Sequence, residues 1–302
     1  MRVTLLALLA LLSSCSRPHA KRILVPPQGP RKARIFVPAR AAPAAGWPLV
    51  LVLHGARSSA RRAEKVTEWT TLADEQGAVV VYPQGIARSW NDGRSDKVPA
   101  AARGVDDVAW LQALLKQVQA TTPIDPTRIL LTGASNGAMM GWRWVCEGRG
   151  LITAFAPVMA GLPSPMANSC APQPVPTLVI HGDADPLVPY EGGTVGQHRG
   201  AVVSTQAALT LMREHNGCSP TPTSTHSWDT VPTDTTSATH TRWSDGCPSA
   251  PVEHIRLLGA GHLWPGARQA LSSKRVGLVS TDLHGAEASW QFAQRVWSTL
   301  QN

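Results

Sequence analysis

Ser135 lies at the centre of Gly133-Ala134-Ser135-Asn136-Gly137, between an apolar run, Arg128 to Thr132, and a segment with helical spacing that begins at Ala138. A serine hydroxyl becomes a nucleophile only when a neighbouring base takes its proton. A tight strand-to-helix turn raises such a serine clear of the backbone, and the crowding of that turn demands small flanking residues. The chemistry offered is attack on an acyl carbonyl, provided that a base and a group to orient it come from elsewhere in the chain. The stretch Leu178-Val-Ile-His-Gly-Asp-Ala-Asp-Pro-Leu-Val-Pro-Tyr190 leaves an apolar strand and enters a loop carrying Asp183 and Asp185. Asp183 follows Gly182 directly and suits a turn, whereas Asp185 precedes Pro186 on the projecting loop and is expected to orient the base. Of the ten histidines, His262 stands in Gly259-Ala-Gly-His-Leu-Trp-Pro-Gly266, glycine-flanked after the apolar run Ile255 to Leu258. Its imidazole can hang over the serine without obstruction, and it is expected to be the base. His54 and His181, at strand ends, read as loop scaffolding.

Acyl transfer also needs donors for the oxyanion. His54-Gly55-Ala56 follows the apolar run Leu49 to Leu53, a position from which one backbone N–H can meet that of the residue after the nucleophile. Ala56 N–H and Asn136 N–H are the expected pair; losing one such donor typically costs about 3 kcal/mol of transition-state stabilisation. The chain order Ser135, Asp185, His262 is that of α/β-hydrolases and differs from the orders of chymotrypsin-like and subtilisin-like proteases.

The elements that must hold these residues are legible as alternating apolar runs and amphipathic stretches. Strands are expected at 34–37, 48–53, 78–82, 128–132, 154–159 and 176–181, and helices at 59–76, 105–121, 138–146, 201–215 and 282–300. Trp290, Phe292, Val296 and Trp297 mark the buried face of the last helix. Near-continuous Val/Leu/Ile strands separated by helices predict an α/β fold, a mostly parallel sheet with helices on both faces, in a single domain. Right-handed crossovers then bring the strand C-termini, and the serine, to one edge.

Arg2 followed by the apolar stretch Val3 to Leu12 and by Leu12-Ser13-Ser14-Cys15 reads as an export signal, residues 1–15, too short to span a bilayer. Small residues before a cysteine resemble the bacterial lipobox, so Cys15 is the expected lipidation site. Residues 16–30 are read as a basic tether and 31–302 as the catalytic domain. The formal charge is +8, but residues 1–62 carry eleven Lys/Arg and no acid, while the remainder carries seventeen Lys/Arg against twenty Asp/Glu. The basicity is an N-terminal property suited to a membrane surface, not to nucleic acid. Ser16, in place of an aspartate, favours the outer membrane over inner-membrane retention; the localisation expected is a cell-envelope lipoprotein or an extracellular protein. Setting Cys15 aside leaves Cys146, Cys170, Cys218 and Cys247, an even set consistent with disulfides in an exported protein. Of three possible connectivities, Cys146–Cys170 with Cys218–Cys247 closes the shortest loops, each contributing about 3 kcal/mol. No cysteine pair has metal-ligand spacing, so no metal is expected.

Several motifs occur together and in order: Leu53-His-Gly, Val81-Tyr-Pro-Gln-Gly85, Trp90-Asn91, Val105-Asp-Asp-Val108, Gly133-Ala-Ser-Asn-Gly-Ala-Met-Met140, His181-Gly-Asp-Ala-Asp-Pro-Leu-Val-Pro-Tyr190 and Gly261-His-Leu-Trp-Pro-Gly266. As a set they resemble the secreted poly(3-hydroxybutyrate) depolymerase and feruloyl esterase family of α/β-hydrolases, over residues 30 to 300. The resemblance implies a serine esterase with nucleophile Ser135, acid Asp185 and base His262, acting without a cofactor on an ester substrate. It also strengthens the pairing of Cys218 with Cys247, because the family often carries a late Asn-Gly-Cys and a Gly-Cys before the histidine strand. The chain departs from the family after Trp90-Asn91, where Arg94-Ser95-Asp96-Lys97 replaces a frequent Cys-Cys pair. Residues 219–237, rich in Thr, Ser and Pro, are expected to form a surface excursion. Eleven tryptophans suggest exposed indoles for stacking on a substrate; Trp90 and Trp264 are the expected contacts, with Trp243 near the site. The ester expected is a 3-hydroxybutyrate polyester or oligomer, or a feruloyl or acetyl ester of plant polysaccharide. A non-catalytic binding lipoprotein on the same scaffold would be favoured by a missing triad member, and none is missing. A serine peptidase of this fold usually carries a further propeller or cap domain, for which the length leaves little room.

Overall fold

The structure, a computed structural model, describes residues 21–25, 31–148, 150–196, 198–269 and 271–299. Met1 to Leu12 and Cys15, the expected export signal and lipidation site, lie outside the described residues. Twelve strands are present among the described residues: β1 Lys21–Val25, β2 Arg31–Phe36, β3 Trp47–Leu53, β4 Val79–Pro83, β5 Ile124–Ala134, β6 Ala154–Val158, β7 Thr177–Gly182, β8 Gly193–Thr194, β9 Ala201–Val202, β10 Ser224–Trp228, β11 Ser237–Trp243 and β12 Val252–Leu258. The helices are α1 Ala60–Thr67, α2 Trp69–Gln76, α3 Asp107–Thr121, α4 Asn136–Cys146, α5 Ser164–Ala167, α6 Thr205–Asn216, α7 Ser273–Val276 and α8 Gly285–Thr299. Ten strands form one sheet in the order β1-β2-β4-β3-β5-β6-β7-β12-β11-β10, and β8 and β9 pair separately. The centre, from β4 through β12, is parallel, and both flanks are antiparallel.

Every side chain of β3 is buried, because helices cover both faces and the period of two sends alternate residues to opposite cores. Leu49, Leu51 and Leu53 belong to one buried apolar cluster with Leu111, Leu114 and Val118 of α3 and Ala208, Leu209 and Met212 of α6. Val50 and Val52 belong to the cluster of the opposite face, with Trp69 of α2 and with Trp290, Phe292, Val296 and Trp297 of α8. These last four are the buried face that the sequence pattern marks on the closing helix. Among the described residues no helix is long and apolar enough to cross a membrane.

Local details differ from the expectation. The single helix expected at 59–76 is two, α1 and α2, broken at Glu68, whose φ of 56° lies in the left-handed region. Residues 219–237 lie at the surface as expected, but the excursion contains a strand that the pattern did not mark: β10 pairs antiparallel with β11 in register Ser224 to Arg242. An edge strand exposed on both faces has no apolar alternation, so periodicity could not mark it. Residues 21–25 of the expected tether form β1, an antiparallel strand against β2. The two disulfides, Cys146–Cys170 and Cys218–Cys247, have the sequential connectivity.

Candidate active site

Ser135, Asp185 and His262 follow the C-terminal ends of β5, β7 and β12, three strands that run parallel in the central sheet and so deliver their loops to one edge. Ser135 has φ 55° and ψ −123°, a strained conformation for a residue with a side chain. The turn is held in place: Ser135 N–H donates to Val158 O at 3.0 Å, and Met139 N–H donates to Ser135 O at 2.9 Å. Gly137 permits the sharp entry into α4, since a Cβ there would lie 2.3 Å from Leu53 O and 2.6 Å from His54 O. The end of β3 is therefore pressed against the start of α4, and Gly55 passes the serine closely enough that a Cβ on it would stand 3.5 Å from Ser135 Cβ.

The carboxylate of Asp185 is fully enclosed. Its Oδ1 accepts Leu187 N–H at 2.8 Å and Val188 N–H at 2.9 Å, and its Oδ2 lies 2.6 Å from His262 Nδ1. Burial pushes the Asp185 carboxyl up, but the charge of His262 and the hydrogen bonds from His181 and His262 prevail and hold it below the ordinary carboxylate range. An ionised carboxylate only accepts, so His262 Nδ1 carries a proton, and Nε2 is the nitrogen placed to act as the base. The His262 loop is locked by Gly261 N–H to Leu278 O at 2.8 Å and His262 N–H to Val276 O at 2.5 Å. That approach requires Gly261, where a Cβ would meet Val276 O at 2.1 Å. Asp183 serves the turn, accepting Gly259 N–H at 2.7 Å and pairing with Arg256 at 3.0 Å.

On the other side of the serine, His54 shapes the backbone. Gly85 N–H donates to His54 Nε2 at 3.0 Å; Nε2 is thus the acceptor, and Nδ1–H donates to Gly55 O at 2.8 Å. The ring is buried, which lowers its pKa to about 4 against the pull of the Gly55 carbonyl, and the charges of Arg88 and Arg31 lower it further. A trans peptide points its carbonyl and its N–H in opposite directions, so holding Gly55 O turns Ala56 N–H to the other side. Among the described residues Ala56 N–H donates to no backbone carbonyl, while Arg57 N–H and Ser58 N–H donate to Arg88 O and Gly55 O. Asn136 is the first residue of α4, and the opening N–H groups of a helix have no carbonyl of their own helix to bond.

Two expected substrate contacts are corrected by burial. Trp90 is fully buried, its indole N–H donating to His54 O at 2.8 Å. Trp264 is 2% exposed and packed among Ala286, Trp290 and their neighbours. Trp243, 6% exposed, stacks under Arg213. These indoles are walls of the core and present no exposed ring face to a ligand, because the apolar ring gains more by leaving water than by lining a wet cleft. Trp90 instead belongs to a clamp that residue types alone did not expose. The Asn136 side chain accepts Trp90 N–H at 2.8 Å and donates to Trp90 O at 3.0 Å and to the buried Asp92 at 2.6 Å. Asn91 N–H next to it donates to Asp107 Oδ2 at 2.6 Å, and Asp107 pairs with the buried Arg31. The signal for this clamp was the run of polar residues Asn91, Asp92, Asp106 and Asp107 beside an apolar helix.

With this geometry in place, residues 33–154 match the model of a family described as Esterase PHB depolymerase. The matched segment is 122 of the 302 residues. It contains the serine turn and the Ala56 loop, and Asp185 and His262 lie beyond it. NocK of Nocardia uniformis subsp. tsuyamanensis, assigned as an esterase, is 28% identical over 258 residues, 82% of this chain and 74% of its own length. The bifunctional acetylxylan esterase/xylanase XynS20E of Neocallimastix patriciarum is 28% identical over 77% of this chain, which spans only 31% of that protein. The CE1 ferulic acid esterase AmCE1/Fae1A from Anaeromyces mucronatus, solved with ferulic acid, superposes with a TM-score of 0.54 at 16% identity, covering 95% of this chain and 94% of its own. Its fold, a single-domain α/β-hydrolase, is the fold of this chain.

Proposed function

We propose that this protein is a serine carboxylic-ester hydrolase in which Ser135 is the nucleophile, His262 the base and Asp185 the orienting acid. The observation that carries the reading is the 2.6 Å contact between His262 Nδ1 and Asp185 Oδ2, on the same sheet edge as a serine held at φ 55°. His262 Nε2 takes the Ser135 proton as the hydroxyl attacks the ester carbonyl, and the imidazolium is stabilised by Asp185. Ala56 N–H and Asn136 N–H receive the oxyanion. His262 returns the proton to the departing alcohol, and water activated by the same ring releases the acid from the acyl-enzyme. The acyl group is feruloyl, acetyl or 3-hydroxybutyryl; the acetylxylan esterase among the relatives and the feruloyl esterase among the structural neighbours support the first two. The two disulfides support export, and we propose Cys15 as the site of a lipid anchor in the cell envelope.

Turnover of methyl ferulate, short-chain p-nitrophenyl esters and 3-hydroxybutyrate oligomers, measured side by side, tests the proposal. At least one is hydrolysed, and Ser135→Ala lowers that turnover by about 10⁴-fold or more while the melting temperature stays within a few degrees. Turnover that survives Ser135→Ala removes the serine from the mechanism. No turnover of any of the three leaves the scaffold without this chemistry.

A further inference from the structure

The stretch that supplies Asp185 carries a second group buried with it. His181 lies in β7 with no exposed surface, and its ring nitrogens are both engaged. Nε2 is 3.1 Å from Val188 O and 3.5 Å from Asp185 Oδ2, and Nδ1 is 2.8 Å from Thr205 Oγ1. A carbonyl only accepts, so Nε2 bears a proton; the neutral ring then accepts the Thr205 hydroxyl proton at Nδ1. Thr205 is itself fixed, as the first residue of α6, by its N–H to Tyr190 O at 2.8 Å. The two polar groups of Val188 are thereby divided: its carbonyl is tied to His181, and its N–H is one of the two that grip Asp185 Oδ1.

We infer that His181 is a positioning residue for the acid, and that the chain α6–Thr205–His181–Val188 sets the orientation of the Asp185 carboxylate beneath His262. This rests on the proposed Ser135–His262–Asp185 mechanism. The histidine does not touch the reacting atoms. It acts twice on Asp185, holding the loop whose N–H groups grip one carboxylate oxygen and directing an N–H towards the other. The Val188 carbonyl selects the tautomer, and the Thr205 hydroxyl, donating to Nδ1, fixes the rotation of the ring: without it Nδ1 is buried with no partner and the ring is free to turn its Nε2–H away from Val188 O and Asp185. A carboxylate free to turn orients the imidazole less well and stabilises the imidazolium less, so the effect appears in kcat and not in ground-state binding.

The side-chain amide of asparagine reaches about as far as Nδ1, and that of glutamine about as far as Nε2. His181→Gln therefore keeps a donor towards Val188 O, and His181→Asn keeps only a partner for Thr205. Thr205→Val removes the hydroxyl at nearly constant volume, and Thr205→Ser restores it. With the whole chain, we expect His181→Asn and Thr205→Val to lower kcat by about tenfold or more at unchanged KM, and His181→Gln and Thr205→Ser to stay within about threefold of the parent. The rate at which diisopropyl fluorophosphate labels Ser135 falls in the same order, since it depends on the same base. Melting temperatures separate this from unfolding, and if His181→Asn does not fold, Thr205→Val against Thr205→Ser decides. Parent-like kcat in Thr205→Val overturns the inference, as does equal loss in the asparagine and glutamine variants. Ser135→Ala and Asp185→Asn run alongside: if both lack turnover while Thr205→Val is unaffected, the positioning role alone is wrong, and if either keeps turnover, the mechanism beneath it is wrong.

Discussion

Acid should unfold this protein through two histidines that are buried without charge. His54 has its pKa lowered to about 4, by burial first and then by Arg88 and Arg31, against the Gly55 carbonyl. His254 is lowered to about 3, by burial first and then by the cationic groups around it, Arg256 among them. In the unfolded chain both titrate near about 6.5. Above that pH neither state holds the extra protons. Between about pH 6.5 and 4 the unfolded chain binds one at each site and the folded protein does not, so stability is full above the unfolded pKa and falls as the pH drops. Two protons correspond to a limiting slope of about 2.7 kcal/mol per pH unit, and integrating to pH 4.5 gives a loss of about 2.5 kcal/mol per histidine, about 5 kcal/mol together. Asp185, whose carboxyl lies below the ordinary range, contributes with the same sign, but only below about pH 4, outside this window. Urea unfolding with the disulfides intact, at pH 7.5, 6.5, 5.5 and 4.5, measures the slope. His254→Gln should keep the volume and roughly halve the loss. Asp92 and Asp107, whose carboxyls burial pushes up, act with the opposite sign on the parent slope, so the comparison with His254→Gln decides: an unchanged slope in that variant would refute the argument from buried neutral rings.

Two further outcomes follow from close contacts at the serine turn. His54→Asn places an amide near Nδ1 and can still hold Gly55 O, whereas His54→Gln reaches Nε2 and frees that carbonyl; kcat on the best ester should fall by less than about tenfold in the first and about 10²-fold in the second, and the reverse order would show that the Gly85 contact is the one that matters. Gly137→Ala would set a Cβ 2.3 Å from Leu53 O, and should destabilise by about 2–3 kcal/mol in a thermal melt while lowering turnover; an unchanged melting temperature would mean that β3 and α4 can separate at no cost.

Much of this molecule is written in local pattern. The buried strands β3, β5 and β7 announce themselves as Val/Leu/Ile runs because both faces are covered, and α8 shows its buried face at Trp290, Phe292, Val296 and Trp297 for the same reason. The serine turn, the choice of Asp185 over Asp183 and the glycine-flanked His262 could be singled out from residue types, since a turn's steric needs are local. Glu68 is different: nothing in 59–76 forbids one helix, and the break serves the packing of α1 and α2 against β4. The hairpin of β10 and β11 escaped periodicity because an edge strand in water needs no apolar face. Trp90 and Trp264 were misplaced for a related reason, as a loop residue's burial depends on what is folded over it. The tautomers of His54 and His181 lie furthest from the sequence. Each is selected by a backbone partner, the Gly85 N–H for one and the Val188 carbonyl for the other, and the ring of His181 is held in place by Thr205 of another element. Only the assembled sheet edge brings those partners within hydrogen-bond range, where a proton must choose one nitrogen.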